Sequence, residues 1–232
     1  MEAKEEEGAS PEEEEAPKRP LSLRILYGVI EVMIYILIIL LGAVAIPKYV
    51  MQRTLVDGPS MQDNLHDKDN ILVEKISPKI NNLDRFDVIV FYPYYDEKTS
   101  ETSFWYDLKK TTKSILHIKE KPEHISDKVK ESREYYVKRI IGLPGETIQI
   151  KGDDIYIDGE IIEEDYGKMP ITNGGIAEEP LTLGDDEYFV MGDNRAVSFD
   201  SRFDEIGPVK KEKIAGKALL RIWPFKDFGI IH

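Results

Sequence analysis

The sequence predicts a mainly β fold, an antiparallel sheet domain preceded by one N-terminal transmembrane helix. An unbroken apolar run occupies residues 25–46, near the N-terminus. After residue 50, short segments alternate or run apolar and are separated by turn residues, which is typical of antiparallel strands. The 232-residue chain contains no Cys, so disulfide scaffolds, thiol nucleophiles and Cys-ligated metals are excluded.

The apolar run is long enough to cross a membrane. It has 22 residues and one ionisable side chain, Glu31. A helix of that length measures about 33 Å, against roughly 30 Å for a hydrocarbon core. A cleaved secretory signal is the alternative, because residues 43–45 (Ala-Val-Ala) resemble a cleavage site. The length of the run and the long acidic segment before it favour a retained helix at 25–46.

The charge distribution separates a tail from the rest of the chain. With 31 Lys and Arg against 44 Asp and Glu, the formal net charge is −13, which excludes a general nucleic-acid binder. Residues 1–16 contain eight Glu and one Lys, so we expect a disordered acidic tail over 1–20. Basic residues weakly favour a cytoplasmic N-terminus, since three precede the helix and two follow it: Lys18, Arg19 and Arg24, then Lys48 and Arg53.

Residues 50–232 have the texture of a β-rich domain. We predict strands at 71–76, 87–92, 146–150, 154–162, 187–193 and 217–223. Asp158-Gly159 lies between two apolar stretches and predicts a hairpin turn. Residues 94–134 are charged and poorly periodic, and we interpret them as a polar insertion between strands.

Two separate segments carry candidate catalytic groups. Ser60 follows a Gly-Pro turn just before the first predicted strand, which alone is an ordinary turn. Lys138 lies in an apolar strand, where desolvation lowers the pKa of an amine and favours the neutral form that accepts a proton. The alternative for Lys138 is an ordinary side chain that extends to solvent at a strand edge.

A third segment is unusually rich in polar side chains. Residues 191–202 contain Asp193, Asn194, Arg195, Ser198, Asp200 and Arg202. That number is too high for a plain connection between strands. By itself, the segment is also compatible with a structural network of satisfied polar groups.

In this order, the segments resemble the motifs of the type I signal peptidases, membrane-bound serine proteases with a Ser/Lys dyad. Gly58 to Met61 resembles the Ser-Met box, residues 135–146 the Lys-Arg box, and 191–202 the Gly-Asp-Asn-Arg…Ser…Asp-Ser-Arg box. Residues 84–91 and 216–225 also fit the family. The single helix is closest to the Gram-positive form. The resemblance implies a signal-peptidase type of antiparallel catalytic domain at 50–232, on the extracytoplasmic side of the plasma membrane.

The resemblance implies roles for individual residues. Ser60 would be the nucleophile and Lys138 the general base, and Ser198 would hydrogen-bond the lysine amine. Asp200 and Arg202 would form a supporting ion pair, with Asp193 and Arg195 as the scaffold of their loop. The Ser60 N–H would stabilise the oxyanion, and Gly58 lacks the second, hydroxyl donor of some relatives. The matching substrate-pocket positions are Val56, Met61, Leu65, Tyr136 and Val137.

The implied substrates are secretory preproteins, cut after small residues in an Ala-X-Ala pattern. The partners expected by resemblance are these signal peptides and the lipid bilayer. We expect a monomer with no cofactor, no metal and no nucleic acid. The chain departs from the family after Ser60-Met61, where Gln62-Asp63-Asn64 replaces the usual X-Pro-Thr.

Three alternatives stay open at this point. A Ser/His/Asp hydrolase would need a clustered His, yet no GxSxG motif occurs and only His66 is near Ser60 in sequence. A self-cleaving Ser/Lys regulator would carry a DNA-binding domain where this chain has an apolar helix. A catalytically inactive, membrane-anchored β scaffold is the non-enzymatic alternative.

Overall fold

The computed structural model describes residues 20–93, 135–167 and 169–232. The predicted tail, apart from residue 20, and the predicted insertion at 94–134 lie outside this part of the chain. The chain forms two compact units, the first ending at Leu41 and the second comprising Gly42–His232.

The first unit contains most of one helix. Helix α1 comprises Leu21–Ala45 and continues as a π-helical turn, Ile46–Val50. It begins four residues before the predicted segment. Together, the helix and the turn are long and apolar enough to cross a membrane by length and composition. Glu31 accepts a hydrogen bond from the Tyr35 hydroxyl one turn later, at 2.8 Å.

The second unit is built from two antiparallel sheets. The first six strands are β1 (Met51–Leu55), β2 (Asn70–Glu74), β3 (Val88–Phe91), β4 (Tyr136–Gly142), β5 (Thr147–Lys151) and β6 (Asp154–Ile157). The others are β7 (Glu160–Ile161), β8 (Leu181–Thr182), β9 (Glu187–Met191), β10 (Val209–Lys210), β11 (Ile214–Trp223) and β12 (Gly229–Ile230). The larger sheet has the strand order β1-β2-β11-β3-β4-β9-β10, with β12 paired to β11, and the smaller has the order β7-β6-β5-β8. The prediction of a mainly antiparallel β fold is confirmed.

The sequence pattern predicted most strands, but β1 and the two-residue strands β8, β10 and β12 were not predicted. Asp158 and Gly159 connect β6 and β7 and both have positive φ, 52° and 87°, as an Asp-Gly hairpin turn requires. Strand β1 was missed because its five residues are not alternately buried, and it lies at the edge of the sheet against β2.

Packing holds the turn after β1 in place. Met61 and Leu65 are fully buried in an apolar cluster that also contains Val56 from the end of β1 and Val73 from β2. Burying each of the two side chains contributes about 1.5–3 kcal/mol. The short segment between Val56 and Leu65, which contains Ser60, is therefore fixed at both ends by the core.

Candidate active site

Ser60 and Lys138 lie side by side although 78 positions separate them in sequence. Ser60 is in the turn after β1, and Lys138 is on β4, opposite Ile89 of β3. Lys138 Nζ donates a hydrogen bond of 2.8 Å to Ser60 Oγ. The turn depends on Gly58, whose φ of 89° favours glycine and whose N–H donates to Asp67 Oδ1 at 2.8 Å.

The environment of Lys138 favours its neutral form. The side chain is only 4% exposed, and Nζ also donates to the Val137 carbonyl oxygen at 3.0 Å. Burial lowers the pKa of Lys138 from 10.5 to about 8, against the opposing effect of the Asp200 and Asp193 charges. About a tenth of this amine is thus uncharged at pH 7, far more than for an ordinary lysine, and the neutral form can accept the proton of the hydroxyl beside it.

Ser198 makes no hydrogen bond to Lys138 in this structure, so the predicted contact is not formed. Its Oγ is buried and has no hydrogen-bond partner in the described part of the chain. Its main-chain N–H donates to the Asn194 oxygen at 3.0 Å, which fixes the serine in a turn. The two hydrogen bonds of Nζ described here go to Ser60 and Val137 instead.

Gly192 brings the loop after β9 against Ser60. A Cβ at this position would lie 2.2 Å from Ser198 Oγ and 2.4 Å from the main-chain oxygen of Ser60. The next residue but one, Asn194, donates its N–H to the same Ser60 oxygen at 3.1 Å. Only glycine fits here, because it lets the loop after β9 approach the turn that contains Ser60. The sequence did not reveal this close approach.

Asp200 and Arg202 form a buried ion pair beneath the loop. Arg202 Nε and Nη2 donate to the two carboxylate oxygens of Asp200 at 2.8 and 3.0 Å. Arg202 Nη2 also donates to the main-chain oxygens of Arg195 and Ser198, at 2.9 and 3.2 Å. Asp200 accepts the Gly192 N–H at 2.9 Å, so the pair connects both ends of the loop.

Asp193 and Arg195 form ion pairs with other elements of the fold rather than with each other. Asp193 accepts two hydrogen bonds of 2.7 Å from Arg139, the neighbour of Lys138 on β4. Arg195 pairs with Glu164, in the segment after β7, at 2.7 Å. The sequence placed both residues in the scaffold of the loop but missed Arg139 and Glu164 as their partners.

Tyr166 covers the Arg139 guanidinium. Arg139 Cζ lies 3.4 Å from the centroid of the Tyr166 ring, within the range of a cation–π contact. Arg139 is fully buried, and Nη1 donates to the main-chain oxygens of Phe86 and His232 at 2.7 and 2.8 Å. No motif in the sequence pointed to Tyr166.

A cavity of about 270 Å³ opens beside Ser60 and Lys138. Its walls include four of the five predicted pocket residues, namely Val56, Met61, Tyr136 and Val137. Leu65 does not line the cavity, because it is fully buried in the core cluster under the turn. Val197 and Phe199 line it as well. The sequence pointed only to the polar residues of their segment, so neither was predicted.

The main-chain N–H of Ser60 donates to no acceptor among the described residues. Ser60 is also one of the residues that line the cavity. No group of three or more His, Asp or Glu side chains in residues 20–93, 135–167 and 169–232 is arranged to hold a metal ion. The arrangement can support attack by an activated hydroxyl on a carbonyl group.

Comparison with known proteins identifies the family. A model of the family "Signal peptidase, peptidase S26" matches residues 29–223, most of the chain. The chain belongs to this peptidase family. It is accordingly an enzyme of the hydrolase class, and the resemblance drawn from the sequence motifs is confirmed.

Named relatives of the S26 peptidase come from cyanobacteria and from bacilli. Signal peptidase I of Leptolyngbya laminosa is 32% identical over 187 residues, which cover 81% of this chain and 76% of that protein. Signal peptidase I of Bacillus amyloliquefaciens is 31% identical over 199 residues, 83% of this chain and 86% of that protein. The probable signal peptidase I-2 of Synechocystis sp. is 28% identical over 189 residues, 82% of this chain and 71% of that protein.

Proposed function

We propose that this S26 peptidase removes N-terminal signal peptides from exported preproteins, with Ser60 as nucleophile and Lys138 as general base. The contact of 2.8 Å between Lys138 Nζ and Ser60 Oγ, made by a lysine that is 4% exposed, carries the proposal. The names of the relatives, signal peptidase I, support the reaction and the substrate class.

The reaction follows from the position of the two groups. The neutral amine of Lys138 takes the Ser60 proton while Oγ attacks the carbonyl carbon of the peptide bond. The negative charge on the carbonyl oxygen is stabilised by the Ser60 N–H. The Lys138 ammonium then gives its proton to the leaving amine, and an ester of Ser60 with the signal peptide remains. Lys138 next activates a water that hydrolyses this ester.

The cavity supports a preference for small residues before the cut. Its apolar walls come from Val56, Met61, Tyr136 and Val137, and its volume of about 270 Å³ is close to the lower limit for ligand pockets. Apolar walls suit the methyl side chains that the family resemblance implies at these substrate positions. We therefore expect Ala-X-Ala substrates.

Helix α1 supports attachment to the plasma membrane. Its 25 residues span about 37 Å, more than the hydrocarbon thickness of about 30 Å. We infer that the N-terminus lies in the cytoplasm and the sheet domain outside the cell membrane. We expect the enzyme to be a monomer. An enzyme held at the membrane surface meets a preprotein whose cleavage point is at the same depth.

Cleavage of an Ala-X-Ala preprotein by the full chain in detergent tests the proposed dyad. Ser60→Ala and Lys138→Ala should each lower kcat by about 10⁴-fold or more, because each removes one member of a unit. Ser77→Ala and Lys210→Ala, which change the same residue types away from the cavity, should keep wild-type turnover. Retention of more than a tenth of the activity in either dyad variant would contradict the assignment.

A further inference from the structure

The C-terminal segment, residues 229–232, is built into the main sheet beside the candidate active site. Its first two residues form β12, in which Ile230 pairs with Leu220 and Gly229 with Arg221 of β11. The Ile231 N–H then donates to the Leu219 oxygen at 2.9 Å. The segment is held along β11 by main-chain hydrogen bonds, so its position is fixed relative to the sheet.

The main-chain oxygen of His232 connects the two elements that carry Ser60 and Lys138. It accepts a hydrogen bond of 2.9 Å from Asn64 Nδ2 and one of 2.8 Å from Arg139 Nη1. Asn64 is four residues after Ser60 in the same turn, and Arg139 is the neighbour of Lys138 on β4. One oxygen atom thus connects the turn that contains Ser60 with β4, the strand that carries Lys138.

Two further contacts hold the same turn. Arg221 Nη1 donates to the Asn64 main-chain oxygen at 3.0 Å, and Arg221 Nε donates to the Asp227 oxygen at 2.7 Å. The side chain of Ile231 packs against the apolar cluster that contains Met61 and Leu65. The segment therefore contacts the turn through the His232 hydrogen bond and the packing of Ile231, and Arg221 of β11 holds the same turn separately.

The hydrogen bond from Arg139 to the His232 oxygen is not easily replaced by a bond to another acceptor. Its Nε and Nη2 are committed to Asp193, and its remaining described acceptors are the oxygens of Phe86 and His232. The residue is fully buried, so loss of one acceptor leaves an N–H group without a partner. The guanidinium would then move, and with it the start of the Lys138 side chain.

We propose that the C-terminal segment is a positioning element of the dyad, acting through the main-chain oxygen of His232 on Asn64 and Arg139. This inference rests on the proposed roles of Ser60 and Lys138. Reacting groups must meet within a narrow distance, and a displacement of about 1 Å can cost on the order of 100-fold in rate. The His232 bridge fixes the separation of Ser60 Oγ and Lys138 Nζ because it joins the backbone segments on both sides of that contact.

The test compares three variants of the full chain in detergent. A chain stopped after Ile231 loses the oxygen, Asn64→Ala loses one donor, and His232→Ala keeps the main-chain oxygen. The first two should lower kcat by about 10- to 100-fold with KM changed less than threefold. They should also shift the rising limb of the kcat pH profile to higher pH, because a displaced Lys138 is better solvated. His232→Ala should lose less than threefold, and a tenfold loss there would assign the effect to the imidazole and overturn the proposal.

Combining the two damaging changes tests the bridge itself. Since Asn64 and the His232 oxygen belong to one hydrogen bond, the double variant should lose much less than the product of the two single losses. Multiplicative losses, or a wild-type kcat and pH profile in the stopped chain, would overturn the proposal. Phe228→Ala, at an exposed side chain just before the segment, is the matched control and should have wild-type kcat.

Folding and the dyad are checked separately. The thermal midpoint of each variant is measured beside kcat, and if the stopped chain does not fold, Asn64→Ala alone carries the test. Activity that survives in Ser60→Ala or Lys138→Ala would refute the proposed dyad. An inactive Ser60→Ala together with an unperturbed stopped chain would refute only the positioning role.

Discussion

Asp193 and Arg139 form a buried bidentate ion pair, with both nitrogen–oxygen distances at 2.7 Å. The pair joins the loop after β9 to the strand that carries Lys138. Removing one member leaves an unpaired buried charge. We therefore expect Asp193→Ala to lower the free energy of unfolding by about 3–5 kcal/mol, measured by denaturant unfolding in detergent.

An exposed ion pair serves as the control for the loss of stability expected in Asp193→Ala. Lys226 and Asp227 lie 3.8 Å apart, and the Lys226 side chain is 81% exposed. Lys226→Ala should change the free energy of unfolding by less than about 0.5 kcal/mol. Equal effects of the two variants would show that burial of the Asp193 pair contributes nothing.

Gly192→Ala should impair catalysis through a steric effect. The new Cβ would lie 2.2 Å from Ser198 Oγ and 2.4 Å from the Ser60 main-chain oxygen. Either the loop after β9 or the turn that contains Ser60 must therefore move. We expect kcat to fall by about 100-fold or more and stability by about 1–3 kcal/mol. Gly28→Ala, where nothing lies within 4 Å of the added Cβ, should retain wild-type kcat. Full activity in Gly192→Ala would mean that this contact does not position Ser60.

The motifs and spacing in the sequence predicted part of this site and missed the rest for physical reasons. Ser60 and Lys138 were singled out because their segments, in this order along the chain, resemble the motifs of a known peptidase family. Arg139 was overlooked as a partner of Asp193 because 54 positions separate them, and only the pairing of β4 with β9 brings them together. Glu164 lies in an irregular segment that has neither periodicity nor a motif. The fold class was predictable because alternation and turn residues are local signals.

The exact hydrogen bonds of the site were also beyond the sequence. Ser198 was expected to bind the lysine amine, but the orientation of a side chain depends on the packing around it. Here Ser198 Oγ lies so close to Gly192 that a Cβ at that position would be 2.2 Å from it. Leu65 was expected in a pocket wall, but it lies in the core under the turn. The sequence could not separate these two positions, because an apolar residue near a cavity can either line the cavity or pack in the core.

The activity should rise with pH as Lys138 loses its proton. Burial lowers the pKa of Lys138 to about 8, so kcat/KM in the free enzyme should follow a single ionisation near that value and fall about tenfold per pH unit below it. The Asp200 charge opposes this lowering. Asp200→Asn should therefore move the rising limb to lower pH in the molecules that remain folded. A limb that stays near 10.5 would contradict a buried general base.

Stability should also depend on the charge of Lys138. Its pKa is about 8 in the folded protein and 10.5 as an ordinary lysine, a difference worth about 3 kcal/mol when the site is fully protonated. The unfolded chain binds more protons between these pH values, so wild-type stability rises with pH across that window.

Replacing the lysine should remove this pH dependence. Lys138→Met should raise the thermal midpoint below pH 8, and the gain should shrink towards zero as the pH approaches 10.5. Lys210→Met, at an exposed position, should show no such trend. A gain for Lys138→Met that is constant with pH would assign the effect to packing alone.

The identity of the nucleophile is the central claim, and covalent labelling tests it most directly. A tripeptide phosphonate ester that mimics Ala-X-Ala reacts with an activated serine hydroxyl, and peptide mapping by mass spectrometry locates the adduct. We predict a single adduct on Ser60, formed with the same pH dependence as kcat/KM and lost in Lys138→Ala. Labelling of Ser198 or another residue, or labelling of Ser60 that proceeds equally well without Lys138, would contradict the account.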